Sequence, residues 1–291
     1  LARYAAVAGL FPVELRLAAI GAAGIALLAV GFRKRLAKPG FALALQGGGV
    51  AVMYLTVFAA FRLYGLVPPL LAFVLMMVVC ALSCALALLQ NSKALAVAAF
   101  AGGFAVPVLL STGQGSHVGL FSYYLVLNLA IVAVAWLRAW RPLNLLGFFA
   151  TFGVATAWGA LKYQPEHFAS TEPFLIAFFA IYLLASLLYA TRHSLAPKQA
   201  VDATLVFGTP LVAFGLQAAL VKDMEYATAF SSLVMGALYL GLGWWAVKRQ
   251  GAKQAVGQWL AECFAALGLG FVTLAVPLAL ALMLFQALVE F

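Results

Sequence analysis

Residues 69–89 read PLLAFVLMMVVCALSCALALL, twenty-one positions without a charge. At about 1.5 Å of rise per residue this run matches the roughly 30 Å hydrocarbon core of a bilayer, so it predicts a transmembrane helix. Similar apolar runs extend from it in both directions, at 13–32, 40–61, 94–111, 118–137, 143–161, 173–191, 200–221, 226–247 and 255–275. The expected fold is therefore all-α: a polytopic transmembrane bundle of about ten helices, read as a single transmembrane domain over 1–291. The 291 residues are 66% hydrophobic and 9% charged, with mean hydropathy +1.09, which excludes a soluble globular domain. Little chain is left over for a water-filled catalytic domain.

The charges give the direction of the helices. Taken by alternate connection, Lys and Arg fall twelve on one side (Arg33, Lys34, Arg35, Lys38, Lys93, Arg138, Arg141, Arg192, Lys198, Lys248, Arg249, Lys253) and three on the other (Arg62, Lys162, Lys222). This alternation predicts a multi-pass protein of the bacterial inner membrane with its basic loops cytoplasmic. The formal net charge of +9 then reads as topology and contact with anionic lipid, not as a nucleic-acid surface.

Helices that leave the basic side each follow a cation: Lys38, Lys93, Arg141, Lys198 and Lys253, at intervals of 55, 48, 57 and 55. The string QGGGVAV at 46–52 also aligns with FAGGFAV at 100–106, a spacing of 54, which suggests a repeated helical hairpin. These helices carry the small and breaking residues, among them Gly48, Gly102, Gly103 and Pro107. Small residues let helix backbones approach in a membrane, so these helices are expected inside and the bulkier returning ones toward lipid. The segment 101–117, AGGFAVPVLLSTGQGSH, combines both features, and its uncharged end at 111–117 is the expected entrance to a cavity. At the C-terminus, apolar sequence from 255 to 289 exceeds one span, and Pro277 is expected to divide it, leaving 276–291 as a terminal extension that reads as a kinked continuation, an interfacial helix or a partial eleventh span.

Few residues carry chemistry. Gln46, Asn128, Asn144, Gln217 and Glu262 lie in or near spans, where polar groups mark either a site or interhelical hydrogen bonds. Glu262 reads as either a proton-coupling carboxylate or an interfacial partner of a loop cation. Asp202 reads as a helix-start residue. His117, His167, Glu166, Glu172, Asp223 and Glu225 share the cation-poor side without the spacing of a metal centre, and His193 falls on the other side. Ser170 to Pro173, STEP, reads as the start of a helix. Cys80, Cys84 and Cys263 sit in apolar runs and read as packing residues, and the glycine clusters lack the Lys and Ser/Thr of a phosphate loop. The chain opens on Leu1 with no signal-peptide pattern, which reads as a portion of a longer protein.

Four strings in order, LALQGGGVAVMYLTVFAAFRLYGL (43–66), AGGFAVPVLLSTGQGSHVGLFSY (101–123), RPLNLLGFFATFG (141–153) and ASTEPFL (169–175), resemble the bacterial predicted membrane proteins of domain of unknown function family 2339. Members are usually longer, with more membrane helices and often a preceding coiled coil, so the resemblance also implies a portion of a longer chain. The stretch from Ala281 onward resembles the family less. No activity or catalytic residue comes with the resemblance.

Two functions remain. In the first, the protein binds or translocates a lipid, envelope precursor or small solute, at a site drawn from Gln46, Gly48, Gly102, Gly103, Pro107, His117, Asn128 and Glu262. In the second it is a non-catalytic scaffold of an envelope complex. An enzyme acting at the extracytoplasmic face is a third, less favoured reading. No cofactor or metal is implied. The expected partners are membrane lipids and other membrane or envelope proteins.

Overall fold

A computed structural model describes residues 12–110, 116–138, 140–192, 200–250 and 255–289. Among them the chain forms ten α-helices: α1 Val13–Lys34, α2 Pro39–Phe58, α3 Pro69–Leu89, α4 Lys93–Leu109, α5 His117–Leu137, α6 Arg141–Lys162, α7 Phe168–Arg192, α8 Ala200–Leu220, α9 Ala227–Gln250 and α10 Ala255–Val289. Nine are long and apolar enough to cross a membrane, and α4, with 17 residues, is the short one. The fold is a polytopic helical bundle, as the apolar runs predict.

Local chemistry sets the helix ends. Proline occupies the first turn of α2, α3 and α6, where its missing N–H lacks an intrahelical partner in any case. The Ser92 side chain accepts from the Leu95 amide and caps α4. A π-helical turn, Ala59–Leu63, extends α2 before Gly65 takes φ +60.

Two proline expectations are corrected. α7 begins at Phe168, after a 3-10 turn Pro165–His167, so Pro173 lies inside the helix and Pro165 supplies the early proline. α10 runs unbroken through Pro277. A proline in a helix frees one carbonyl four residues back, a loss that neighbouring groups in a membrane bundle make good.

The chain divides into two compact units, Leu1–Ser116 and His117–Phe291. In the first, α1 packs along α2, α3 along α4, and α2 also touches α3 and α4. Gly24 and Gly31 on α1 face Gly49 and Ala42 on α2, each pair seven residues apart. A Cβ on Gly49 would lie 2.8 Å from the Gly24 carbonyl oxygen, and one on Gly31 2.9 Å from that of Ala42. The second unit uses the same device: Gly236 and Gly243 on α9 meet Gly268 and Ala261 on α10, again at intervals of seven. A seven-residue period keeps one small-residue seam facing its partner along helices that wrap at a shallow angle.

The remainder of the second unit is built on volume. α7 packs against α5, α6 and α8, and Tyr124, Phe178, Tyr182, Phe148 and Phe152 fill the space between. α5 and α7 have the largest buried shares of the nine long helices. The expectation that small-residue helices form the interior is therefore reversed in this unit: glycines serve pairwise seams, and aromatic side chains fill the middle. In the first unit it holds for α4, seven of whose 17 residues are buried.

Candidate functional site

The polar residues singled out from the sequence are mostly absorbed by packing. Asn128 on α5 is fully buried. Its Nδ2 donates to Thr151 Oγ1 at 2.7 Å and to the Tyr124 carbonyl at 2.8 Å, and its Oδ1 accepts from the Tyr182 hydroxyl. Gly147 leaves room for that hydroxyl, which a Cβ would approach to 2.7 Å. Gln46 on α2 pairs with Gln90 through two amide hydrogen bonds of 2.9 and 2.7 Å. Gly102 lies under the Tyr54 ring, whose hydroxyl donates to the Ala99 carbonyl at 3.1 Å.

Other members of that set serve separate roles. Gly103 is buried in α4 and Pro107 lies inside the same helix. A Cβ on Gly48 would meet nothing within 4 Å. Glu262 is exposed on α10. In the expected entrance loop, 111–115 lies outside the described residues.

His117 stands where side chains from several helices converge. It opens α5, and its Nε2 lies 2.8 Å from Ser170 Oγ on α7. Its ring packs 4.7 Å from that of His167 and 5.0 Å from that of Trp158. Ser170 Oγ also reaches the His167 carbonyl at 3.0 Å. Two more bonds tie the same helix ends: the Tyr163 hydroxyl donates to the Leu220 carbonyl at 2.9 Å, and Gln217 Nε2 donates to Glu172 Oε1 at 2.8 Å. Among the described residues no three His, Cys, Asp or Glu side chains lie close enough to hold a metal.

Beneath these ties α5 to α8 border a half-open cavity of about 410 Å³. Ala155, Thr156, Trp158, Gly159 and Ala160 line it from the end of α6. Thr171, Phe174, Leu175 and Phe178 present one face of α7, with Leu216, Ala219 and Leu220 from α8 and Phe121 from α5. Phe121 and Trp158 meet edge to face with centroids 5.2 Å apart. Lys222 stands at the loop end of the cavity. Carboxylates surround that end: the Tyr163 hydroxyl is pushed above its usual range by burial and then by the negative charges of Asp223, Glu172 and Glu166.

One of the lining residues carries a polar atom that is buried away from the cavity. Thr171 is only 6% exposed, and among the described residues its Oγ1 has no hydrogen-bond partner. A buried hydroxyl left unpaired is costly, and because Oγ1 is also closed off from the pocket that cost belongs to the packing of α7.

Sequence reasoning reached His117 and the acidic surroundings but missed Trp158, Tyr163 and Thr171. On α7 the positions 171, 174, 175 and 178 share one helix face, a local spacing that names no partner helix.

The family model described as predicted membrane protein (DUF2339) matches residues 1–289, so the chain belongs to that family. The match includes most of the stretch after Ala281 that the strings alone left weak. No curated protein and no solved structure matches the chain.

Proposed function

We propose that this DUF2339 membrane protein binds a lipid or lipid-linked envelope precursor by seating one apolar chain or ring system in the α5–α8 cavity. The observation that carries the reading is the aromatic, apolar lining, in which Phe121, Trp158, Phe174 and Phe178 border a half-open space between the helices. At about 410 Å³ the cavity sits low in the roughly 300–1,000 Å³ range of small-molecule sites. That is room for a single chain, not for both chains of a phospholipid. The twelve-to-three distribution of loop cations supports an inner-membrane protein with this end toward the extracytoplasmic leaflet, where a precursor chain would enter from the side.

Gly159 supplies the test. A Cβ there meets nothing within 4 Å, so Gly159→Leu adds an apolar side chain to the wall of the cavity from a position with room at its first carbon. Membranes holding the protein are irradiated with a diazirine-bearing single-chain lipid, and the labelled peptides are mapped. Labelling is expected on the α6 and α7 faces and is expected to fall several-fold in Gly159→Leu. Undiminished labelling in the variant overturns the reading.

The scaffold reading is favoured by a different observation. α1 is the least buried of the long helices and exposes Leu15, Ile20, Ile25 and Val30. A polypeptide that stays bound through gentle extraction and native mass spectrometry, without lipid, would favour it.

A further inference from the structure

The first unit holds a second cavity, of about 510 Å³, formed where the turn between α1 and α2 faces the turn between α3 and α4. Its lining divides by chemistry. Arg35 and Lys93 contribute one cation from each turn, Asn91 and Ser92 contribute polar groups, and Leu36 and Leu89 form apolar edges. We infer that this cavity binds the phosphate group of an anionic amphiphile, with Arg35 and Lys93 as the counter-charges.

The charge balance supports an anion. No carboxylate lines the cavity. Within 1–116 the single acidic residue is Glu14, in the first turn of α1. Arg35 follows the last turn of that 22-residue helix, so the two are separated by its length, about 30 Å. The cations are thus uncompensated by any acid of their own unit, while Arg33, Lys34 and Lys38 add to the same sign nearby.

The site is also held in shape. The Arg35 guanidinium lies 3.7 Å over the Phe32 ring and donates through Nη1 to the Phe32 carbonyl at 3.1 Å, which leaves its other N–H groups to point elsewhere. On the opposite turn Asn91 takes φ +51, and Gln90 is fixed by its amide pair with buried Gln46. This gives the Gln46 pair a purpose: it sets the turn that carries Lys93.

The apolar edges argue for an amphiphile. Leu36 is 87% exposed and Leu89 77% exposed, at the level of the cations. Exposed leucines beside cations at a helix end match acyl chains beside a headgroup, and a free phosphate has no use for them.

The test uses the full chain, delipidated in detergent and titrated with phosphatidylglycerol, phosphatidylcholine or inorganic phosphate under native mass spectrometry. Phosphatidylglycerol is expected to bind in preference to phosphatidylcholine. The double substitution Arg35→Gln with Lys93→Gln is expected to weaken it about 25-fold, from about 1 kcal/mol per cation near a membrane surface. Arg35→Lys with Lys93→Arg, which keeps both charges, is expected to restore most of the binding and guards against misfolding as the cause. Displacement of the lipid by inorganic phosphate at millimolar concentration would identify a phosphate site whose physiological source is soluble. Equal binding of the two lipids, or unchanged phosphatidylglycerol binding in the Gln pair, would overturn the inference. The thermal midpoint of the Gln pair in the same detergent serves as the folding control, and failure of the α5–α8 reading leaves this site untouched.

Discussion

Thr171 and Asn128 are both buried polar residues of the second unit, yet they make opposite predictions. Asn128 is spent on Tyr124, Thr151 and Tyr182, so replacing it leaves a hydroxyl network unpaired. Asn128→Ala is expected to destabilise the protein by about 1–2 kcal/mol, the scale of a buried polar truncation softened by the membrane reference state, as read by denaturant unfolding in micelles. It should leave lipid labelling unaltered, and a loss of labelling at full stability would return Asn128 to the binding site. Thr171 has an unpaired hydroxyl, and Thr171→Val removes it at nearly constant volume. That variant should be at least as stable as the parent, since it removes a buried hydroxyl that lacks a partner, and a clear loss of stability in the same denaturant titration would show that the hydroxyl is paired.

Among the helices, adjacent glycines separate two roles that one sequence motif conceals. In the string QGGGVAV, Gly48 faces open space, whereas Gly49 touches the α1 backbone at Gly24. Gly48→Ala is expected to be neutral or stabilising by up to about 1 kcal/mol, since alanine is the better helix former. Gly49→Ala should cost about 1–3 kcal/mol or more, because the obstacle is a backbone oxygen that has no rotamer to change. Gly268→Ala, with the Leu240 amide nitrogen 2.8 Å from the added carbon, belongs with Gly49. Thermal midpoints of the three variants in one detergent decide it, and equal midpoints for Gly48→Ala and Gly49→Ala would dissolve the α1–α2 seam. The aligned string at 100–106 shows why such motifs were only half legible: its Gly102 makes room for the Tyr54 ring from another helix, a neighbour that no spacing within α4 reveals. Helix positions were legible because apolar length is written locally. The cavity was not, because Trp158, Thr171, Leu216 and Phe121 meet only after four helices pack.

For the whole molecule, the open question is the passage of α4. Its 17 residues span about 25 Å, short of the roughly 30 Å core, and Pro107 lies inside its last turn. If α4 does not cross, every loop after it changes sides. The cations Arg138, Arg141, Arg192, Lys198, Lys248, Arg249 and Lys253 would then join Arg62, making eight. Lys162 and Lys222 would join the five of the first two basic turns, making seven. A bias of twelve against three would become seven against eight, which gives a translocating chain no preferred orientation. Charge thus argues that α4 crosses, with the bilayer thinned locally or the helix ends drawn inward to meet it. Leu36, Leu66 and Met224 are exposed, uncharged positions outside the helices, so cysteine at each leaves the charge pattern intact. With Cys80, Cys84 and Cys263 replaced, a membrane-impermeant maleimide applied to intact cells should label position 66 and position 224 and spare position 36. Labelling at 66 without 224 would mean that α4 turns back, and that the α5–α8 cavity opens on the cytoplasmic side.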